Sequence, residues 1–303
     1  MLIIGSHVSF NGEQLLSATK EAISYNANTF MFYTGAPTNT TRLAINPEYT
    51  LAAQELMQKN GIDIKNVICH APYIVNPATA DPAKSLFAAN FIKQELSRCA
   101  TLGIKYLVLH PGSSVGISKE EGLNNIINVL NQALDNEYDV TLLLETMAGK
   151  GNECGTSTAE LAYIINHSLY PNKLGVCLDT CHLNDAGIDE TNFDLYLDDF
   201  NNQIGLEKIK CLHLNDSKNE FNSHKDRHAN IGKGTIGFDN LLKIIYNPRL
   251  ENIPKILETP YIGDTDDSKE RLYPPYRFEI AMLRSKKYNP DYFSEIRFCY
   301  QKK

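Results

Sequence analysis

Short apolar runs recur along the chain, and six of them end in a polar residue where a loop begins. Eight of these runs have the length of a strand, and between them apolar residues recur at the three- and four-residue spacing of helices. The pattern predicts strands near residues 2–8, 28–34, 65–70, 105–110, 140–145, 174–179, 208–214 and 254–259. Strands that alternate with helices in this way indicate a parallel sheet with right-handed crossovers.

The helices between the strands carry start and stop signals. Asp81 and Pro82 suit the cap and the first turn of a helix over 84–102, and Gly103 suits its end. Two further helix starts match the capping-box pattern, Ser118 with Glu121 and Ser157 with Glu160. These signals support helices rather than irregular connections between the strands.

The chain length favours closure of the sheet. A (β/α)8 barrel needs about 250 residues, and 303 residues without an evident linker or repeat predict a single-domain TIM barrel over 1–303. A C-terminal helical segment of about 270–303, with a helix around 277–285, is expected to pack on the barrel. An open doubly wound sheet is the alternative, but it would spread the polar strand ends along a line.

Composition is typical of a globular protein, with 43% hydrophobic and 21% charged residues. No apolar stretch approaches the ~20 residues needed to cross a bilayer, and residues 1–7 resemble a first strand rather than a leader. The seven cysteines lack paired spacing, and Cys69, Cys177 and Cys211 lie inside strand-like runs. We therefore expect reduced, buried thiols in a cytoplasmic protein.

Side chains that could bind a metal stand at or just beyond the ends of the predicted strands. There are nine of them: His70, His110, Glu145, Asp179, His182, His213, Asp226, His228 and Glu258. In a parallel barrel the strand C-termini converge on one mouth, and imidazoles with carboxylates suit zinc and its neighbours. Nine such groups are too many for one tetrahedral ion, so the pattern predicts a metal cluster.

Each candidate also has a simpler interpretation. A single histidine such as His70 at a strand end is more often a structural, hydrogen-bonded residue than a ligand, and Asp226 could merely orient His228 within a loop. The set as a whole favours metal, because five of the eight histidines fall at these positions. Glu145 and Glu258 follow apolar residues, where a buried carboxylate is costly unless it is paired or metal-bound.

Charge does not decide the substrate. A formal net charge of −7 argues against nucleic acid, but bound divalent ions would make the mouth itself positive. The glycine-rich run Gly232–Gly237 lacks the spacing of a Walker phosphate loop. We expect a tight backbone turn there, one that could meet a DNA phosphate.

The motifs around these residues resemble, in order and across nearly the whole chain, those of endonuclease IV, the zinc-dependent apurinic/apyrimidinic endonuclease family of base-excision repair. Eight motifs carry the resemblance: Gly5–Ser9, His70–Tyr73, Leu109–Ser113, Leu144–Gly151, Cys177–Gly187, His213–Lys218, Asp226–His228 and Leu257–Pro260. Any one of them would be modest evidence. Together they identify the family.

The resemblance implies three zinc ions per chain. His70 and His110 would hold the first ion, and Glu145 would bridge it to the second. The second ion would also take Asp179, His213 and Glu258. The third would be held by His182, Asp226 and His228, with His182 in a loop beyond its strand.

The resemblance also implies hydrolysis of the phosphodiester bond 5′ to an abasic site, leaving a 3′-hydroxyl and a 5′-deoxyribose phosphate. The nucleophile would be a metal-bound hydroxide near Glu145 and Glu258, because zinc lowers the pKa of bound water towards ~7. The substrate would be double-stranded DNA with abasic sites or 3′-blocked ends. We expect a monomer with no membrane partner.

For DNA contacts the resemblance points to Tyr73 and Ile74, whose apolar surfaces suit insertion into a base stack. Packing of Tyr73 on the barrel rim is an equally simple interpretation. The loop Tyr33–Asn39 departs from relatives that carry an inserted arginine there, and Arg42 comes later in the chain.

A divalent-metal sugar isomerase or epimerase on the same barrel is the alternative function. It would use Glu145, Asp179, His213 and Glu258 but leave the other five candidates without a role. The absence of tryptophan also removes a common surface for sugar stacking. A purely structural zinc site is less consistent with the sequence, because such sites are usually closed, four-coordinate and often rich in thiolates.

Overall fold

Eight strands lie parallel in one sheet in this computed structural model, which describes residues 2–301. They are β1 Ile4–Ser6, β2 Met31–Phe32, β3 Ile68–His70, β4 Tyr106–Leu109, β5 Thr141–Glu145, β6 Leu174–Asp179, β7 Ile209–His213 and β10 Lys255–Leu257. The order is β1-β10-β7-β6-β5-β4-β3-β2. A parallel bridge between His7 and Met31 joins the two edge strands, and Val8 N donates to Met31 O at 2.8 Å. The predicted (β/α)8 barrel is confirmed.

Each predicted run contains one of these strands. β6 fills its run, and the other strands are shorter than theirs, because the outer residues leave the hydrogen-bonded ladder to enter loops. A two-stranded antiparallel hairpin, β8 Asp216–Ser217 and β9 His228–Ala229, follows β7 outside the barrel. Strands of two residues are too short to show a period of two, so the sequence did not predict it. Met1, Lys302 and Lys303, which belong to the predicted domain 1–303, lie outside the described residues.

The helices are α1 Leu15–Ser24, α2 Pro47–Lys59, α3 Pro82–Leu102, α4 Lys119–Ala133, α5 Thr158–His167, α6 Thr180–Asp185, α7 Phe193–Gln203, α8 Phe238–Ile245, α9 Tyr276–Ser285 and α10 Tyr292–Gln301. None of them, within residues 2–301, is long and apolar enough to span a membrane.

The predicted helix caps are present, with one exception. Asp81 caps α3, and Gly103 ends it with a φ of 78°. The reciprocal capping box at α4 forms between Ser118 and Glu121. At α5 Ser157 accepts the N–H of Glu160, but the Glu160 carboxylate accepts the N–H groups of Gly155 and Thr156 instead of returning to Ser157.

Side chains that point into the barrel form a layer directly below its C-terminal mouth. The layer consists of Met31, Ile68, Val108, Leu143, Cys177, Cys211 and Ile256. The larger outer core packs between the strands and the helices. Because successive strand residues point to opposite faces, the residue two positions after each interior residue again points inward, at the C-terminal mouth.

The cysteines that the sequence placed in strands behave as predicted. Cys69, Cys177 and Cys211 are buried and form no disulfide. Cys177 and Cys211 face each other across β6 and β7 within the barrel interior.

The C-terminal helices are joined to the barrel mouth by the buried carboxylate of Glu279 on α9. It accepts hydrogen bonds from Ile231 N at 3.0 Å, Asn230 Nδ2 at 3.2 Å, Thr259 Oγ1 at 2.5 Å and Tyr292 OH at 3.4 Å. Burial outweighs these donors and raises the pKa of Glu279 to about 7. One acid thus connects α9 and α10 to the segments that follow β9 and β10.

This raised pKa predicts a pH dependence of stability. The unfolded chain loses the Glu279 proton near its ordinary pKa of 4.5, whereas the folded protein keeps it until about 7. The stabilisation that the protonated Glu279 contributes is therefore fully present at low pH and is lost as the pH rises through about 7. The corresponding decrease in the free energy of unfolding is about 3 kcal/mol. Glu279→Gln should remove this part of the slope. Denaturant unfolding of both proteins between about pH 5 and about pH 8 measures it, and a constant difference between them would contradict the prediction.

Candidate metal centre

Six of the nine candidate ligands stand two positions beyond a residue of the interior layer. His70 follows Ile68, His110 follows Val108, Glu145 follows Leu143, Asp179 follows Cys177, His213 follows Cys211, and Glu258 follows Ile256. The strand period of two therefore turns all six side chains into the barrel at the mouth. His182, Asp226 and His228 reach the same place from α6 and the β8–β9 hairpin.

The first group centres on one oxygen of Glu145. His70 Nε2 and His110 Nε2 each lie 3.1 Å from Glu145 Oε2. The second group uses the other oxygen, because His213 Nδ1 lies 3.1 Å from Glu145 Oε1. The same His213 nitrogen is 3.2 Å from Glu258 Oε2 and 3.8 Å from Asp179 Oδ2.

The third group lies beyond the strand ends. His182 Nε2 is 3.1 Å from Asp226 Oδ1, and His228 Nε2 is 3.6 Å from the same oxygen and 3.7 Å from Asp179 Oδ2. His182 lies in α6 and not in a loop, which corrects the sequence interpretation. The reason is local: Asp179 caps the helix by accepting the N–H of His182 at 2.9 Å.

These separations fit divalent metal. Two ligands at about 2.0 Å from a tetrahedral zinc ion are about 3.3 Å apart, close to the 3.1 to 3.8 Å found within the groups. The buried Nε2 of His228 also has no hydrogen-bond partner among the described residues. A nitrogen buried in this position is costly unless a hydrogen-bond donor or a cation satisfies it.

Backbone carbonyls orient three of the imidazoles. The Nδ1 atoms of His70, His182 and His228 lie 2.6, 2.8 and 3.3 Å from the carbonyls of Ala71, Thr146 and Glu258. Because a carbonyl can only accept, each Nδ1 carries the hydrogen and leaves Nε2 free to coordinate. This arrangement is common among histidines that bind metals.

The electrostatics of the groups favour a cation. Burial opposes ionisation of Glu145, but the imidazoles of His213 and His110 outweigh it and hold the pKa of this carboxyl well below its usual range. Burial likewise opposes protonation of His182, yet Asp179 and Asp226 raise its pKa well above the usual value. A divalent ion would replace these protons and benefit from the same carboxylates.

Asn215, which the sequence analysis did not single out, supports two of the carboxylate positions. Its Nδ2 donates to Asp179 Oδ2 at 2.7 Å, and its Oδ1 accepts the N–H of Glu258 at 2.9 Å. Its position two residues after His213 was the available signal, but spacing alone cannot show which strand ends an amide will connect.

The segment that carries Asp226 is held in an unusual conformation. Asn222, His224 and Asp226 all have positive φ, at 61°, 54° and 55°. Such strain persists where the surroundings enforce it, and it often marks functional sites. Here the buried Asp185 carboxylate accepts the N–H of Asp226 at 2.9 Å and hydrogen bonds from Ser217 and Asn219.

The glycine-rich run Gly232–Gly237 forms the tight turn that the sequence predicted, but it is not available to a phosphate. The N–H groups of Gly232, Gly234 and Ile236 each donate to the Asp216 carboxylate at 3.0 Å. A Cβ added to Gly234 would lie 2.3 Å from Ser217 O, so only glycine fits. The turn therefore holds the β8–β9 hairpin in place.

At the rim, Tyr73 and Ile74 are 52% and 44% exposed, so neither is packed into the barrel. Arg42, in contrast, is buried: its side chain is 1% exposed, and its Nε donates to Glu95 at 2.7 Å.

A cavity of about 640 Å³ opens between the loops after β1 and β2 and is lined in part by His7 and Tyr33. The Tyr33 ring lies 5.1 Å from the ring of His70, which places this cavity beside the first group.

Comparison with known proteins gives the same assignment as the motifs. A family model described as a xylose isomerase-like TIM barrel matches residues 20–285. The chain is 50% identical over 299 residues to a probable endonuclease 4 of Geobacillus kaustophilus, covering 98% of each, and 48% identical over 299 residues to that of Bacillus subtilis, covering 98% and 99%. The crystal structure of endonuclease IV from Thermus thermophilus matches with a TM-score of 0.77 at 28% identity, covering 96% of this chain and 99% of that one. The chain therefore belongs to the endonuclease 4 family.

Proposed function

We propose that this protein is a DNA-repair endonuclease that hydrolyses the phosphodiester 5′ to an abasic site in duplex DNA, leaving a 3′-hydroxyl and a 5′-deoxyribose phosphate. The observation that carries the proposal is the convergence of His70, His110, Glu145, Asp179, His182, His213, Asp226, His228 and Glu258 in three connected groups. Membership of a family whose relatives are named endonuclease 4 supports it. DNA with 3′-blocked ends belongs to the same proposal.

The donor set suits three zinc ions. Zinc bound here would supply a nucleophile at neutral pH by lowering the pKa of water towards ~7, and would offset charge on the phosphate. In this proposal Glu145 connects the first two groups through its separate oxygens, and Asp179 lies between the second and third. All nine donors come from one chain, which supports action as a monomer.

Glu258 and Glu145 have different roles in this proposal. Glu145 is 1% exposed and holds four imidazoles, so it fixes the centre. Glu258 is 17% exposed at the mouth and can reach a water that approaches the phosphorus. Burial raises its pKa, but His213 outweighs burial and keeps the carboxyl ionised, ready to accept a hydrogen bond from that water.

Recognition of the lesion is assigned to Tyr73 and Ile74. Their exposure at the rim supports insertion into a gap beside an abasic site, because filling a gap in the stack needs apolar surface. The buried ion pair of Arg42 with Glu95 argues against that arginine as the inserted residue.

The alternative sugar epimerase function is less well supported. The fold is shared with a D-tagatose 3-epimerase-like protein at a TM-score of 0.66 but only 19% identity, which is evidence for the barrel alone. A sugar epimerase would need the second group and would leave the first and third groups without a role. These groups favour phosphodiester hydrolysis.

The zinc content tests the cluster. Protein loaded with zinc and freed from excess metal should hold close to three equivalents per chain, because the donors fall into three groups that share Glu145 and Asp179. Elemental analysis against protein concentration measures the ratio. A value of one ion per chain would rule out the cluster.

Glu258→Gln tests the reaction centre. It keeps the shape but removes the charge, so most of the zinc should remain while incision of an abasic duplex falls roughly 10²–10⁴-fold. Glu55→Gln, on the outer helix α2, is the matched control and should change neither quantity. Retained incision by Glu258→Gln would remove this residue from the reacting centre.

Tyr73→Ala tests lesion recognition separately from chemistry. Loss of one stacked ring should weaken binding to abasic duplex by ~1–3 kcal/mol. Binding to intact duplex, which offers no gap, should change little, and zinc content should stay the same. Titration of both DNAs at fixed ionic strength measures the difference. Equal loss on both would mean that Tyr73 supports the rim, and Ile74 would be tested next.

A further inference from the structure

Three cations at the edge of the mouth have no acidic partner among residues 2–301. Lys218 stands at the end of β8, Arg227 lies beside it across the hairpin, and Arg271 comes from the loop that follows β10. Lys218 N donates to Arg227 O at 2.9 Å, so the two residues are neighbours in the ladder. Within residues 2–301 none of the three side chains forms an ion pair with a carboxylate, although the chain carries a net charge of −7.

The two arginines repel Lys218. Burial lowers the pKa of Lys218, and the positive charges of Arg271 and Arg227 lower it further. The guanidinium of Arg271 has one neutral partner, the carbonyl of Tyr261 at 3.4 Å from Nη1. Like charges held together without a counter-charge destabilise a fold, so a bound anion would stabilise this arrangement.

The shape of the site limits the size of that anion. Lys218 and Arg271 line a cavity of about 170 Å³, well below the ~300 Å³ at which pockets for small organic ligands begin. The other cationic side chains that line the cavity have partners within the protein: Arg297 pairs with Asp266, and Lys233 donates to Pro290 O. The cavity suits a group of the size of a single phosphate.

The position of the cavity beside the metal centre indicates which phosphate group it would bind. The β8–β9 hairpin carries Asp226 and His228, and the loop of Arg271 follows directly after Glu258 and is tied down by the bridge between Ile262 and Tyr273. Both walls of the cavity are therefore direct extensions of the segments that build the metal centre. A duplex with its reacting phosphodiester at the mouth would continue past this edge.

We propose that Lys218 and Arg271, with Arg227 beside them on the hairpin, form a cleft that binds one backbone phosphate of the DNA duplex away from the phosphodiester that is cut. The cleft carries no sequence or lesion information, because a phosphate is the same beside every base. It contributes affinity and register. This inference rests on the proposed DNA substrate.

The test is the salt dependence of DNA binding by the zinc-loaded protein. Each phosphate contact contributes about 0.9 to the slope of log Kobs against log salt. The double variant Lys218→Ala, Arg271→Ala should lower that slope by about one, equally on intact and abasic duplexes. The zinc content should not change, because neither residue is a proposed ligand. Arg227 stays in place, since it lies between Asp226 and His228.

Two matched variants serve as controls. Lys59→Ala removes a charge at the C-terminal end of α2, on the opposite face of the barrel, and should leave the slope unchanged. Lys218→Arg with Arg271→Lys keeps both charges and should retain the slope. Thermal unfolding of each variant shows that the fold is intact.

The outcomes separate this inference from the proposed function. A double variant whose slope equals that of the wild type would overturn the cleft while incision at abasic sites still stood. A wild type that binds duplex in a salt-sensitive way without incising it would overturn the function and leave the cleft standing. Inhibition of incision by inorganic phosphate that disappears in the double variant, with the slope unchanged, would assign the cleft to free phosphate and overturn its role in DNA binding.

Discussion

The buried carboxylate of Glu145 is the interaction on which the mouth of this barrel depends. One oxygen lies 3.1 Å from His70 and from His110, and the other lies 3.1 Å from His213 and 3.4 Å from His182. An anion that is 1% exposed would be strongly destabilising without such partners. The ends of four strands and α6 therefore lie together around this carboxylate. A cation bound there would find its donor atoms already in position.

Strand geometry explains why the donors meet. The interior layer beneath the centre is apolar apart from two thiols, and each strand-end ligand stands two residues above one of its members. The ladder pairs Asp179 with His213, so these two mouth residues lie at the same height, whereas Glu145 pairs with Cys177 and lies one layer lower, between them and the interior. A shift of one residue in any strand would turn its ligand towards the helices.

The parts of the mouth that do not come from strands are held by further buried acids. Asp185 accepts a hydrogen bond from the strained segment that carries Asp226. Asp216 accepts hydrogen bonds from N–H groups of the Gly232–Gly237 turn. Glu279 connects the C-terminal helices to residues beside His228 and Glu258. Each of these carboxylates satisfies backbone donors that have no ladder partner. The loops of the mouth thus have defined positions without regular secondary structure.

The sequence by itself determined the barrel, the caps of α3 and α4, and the strand-end positions of most candidate ligands, because strand runs, helix spacing and capping residues are local signals that the fold does not override. The prediction placed His182 in a loop, although Asp179, three residues earlier, supplies a local capping signal for the helix. The sequence could not show that Arg42 is buried against Glu95, or that the N–H groups of Gly232–Gly237 face Asp216. In these two cases the partner is distant in sequence or in an unpredicted hairpin, and only folding of the whole chain brings the two groups together. The tertiary structure decided which polar groups face one another, because contacts between strand ends and loops are set by register and packing and not by the spacing of residues along the chain.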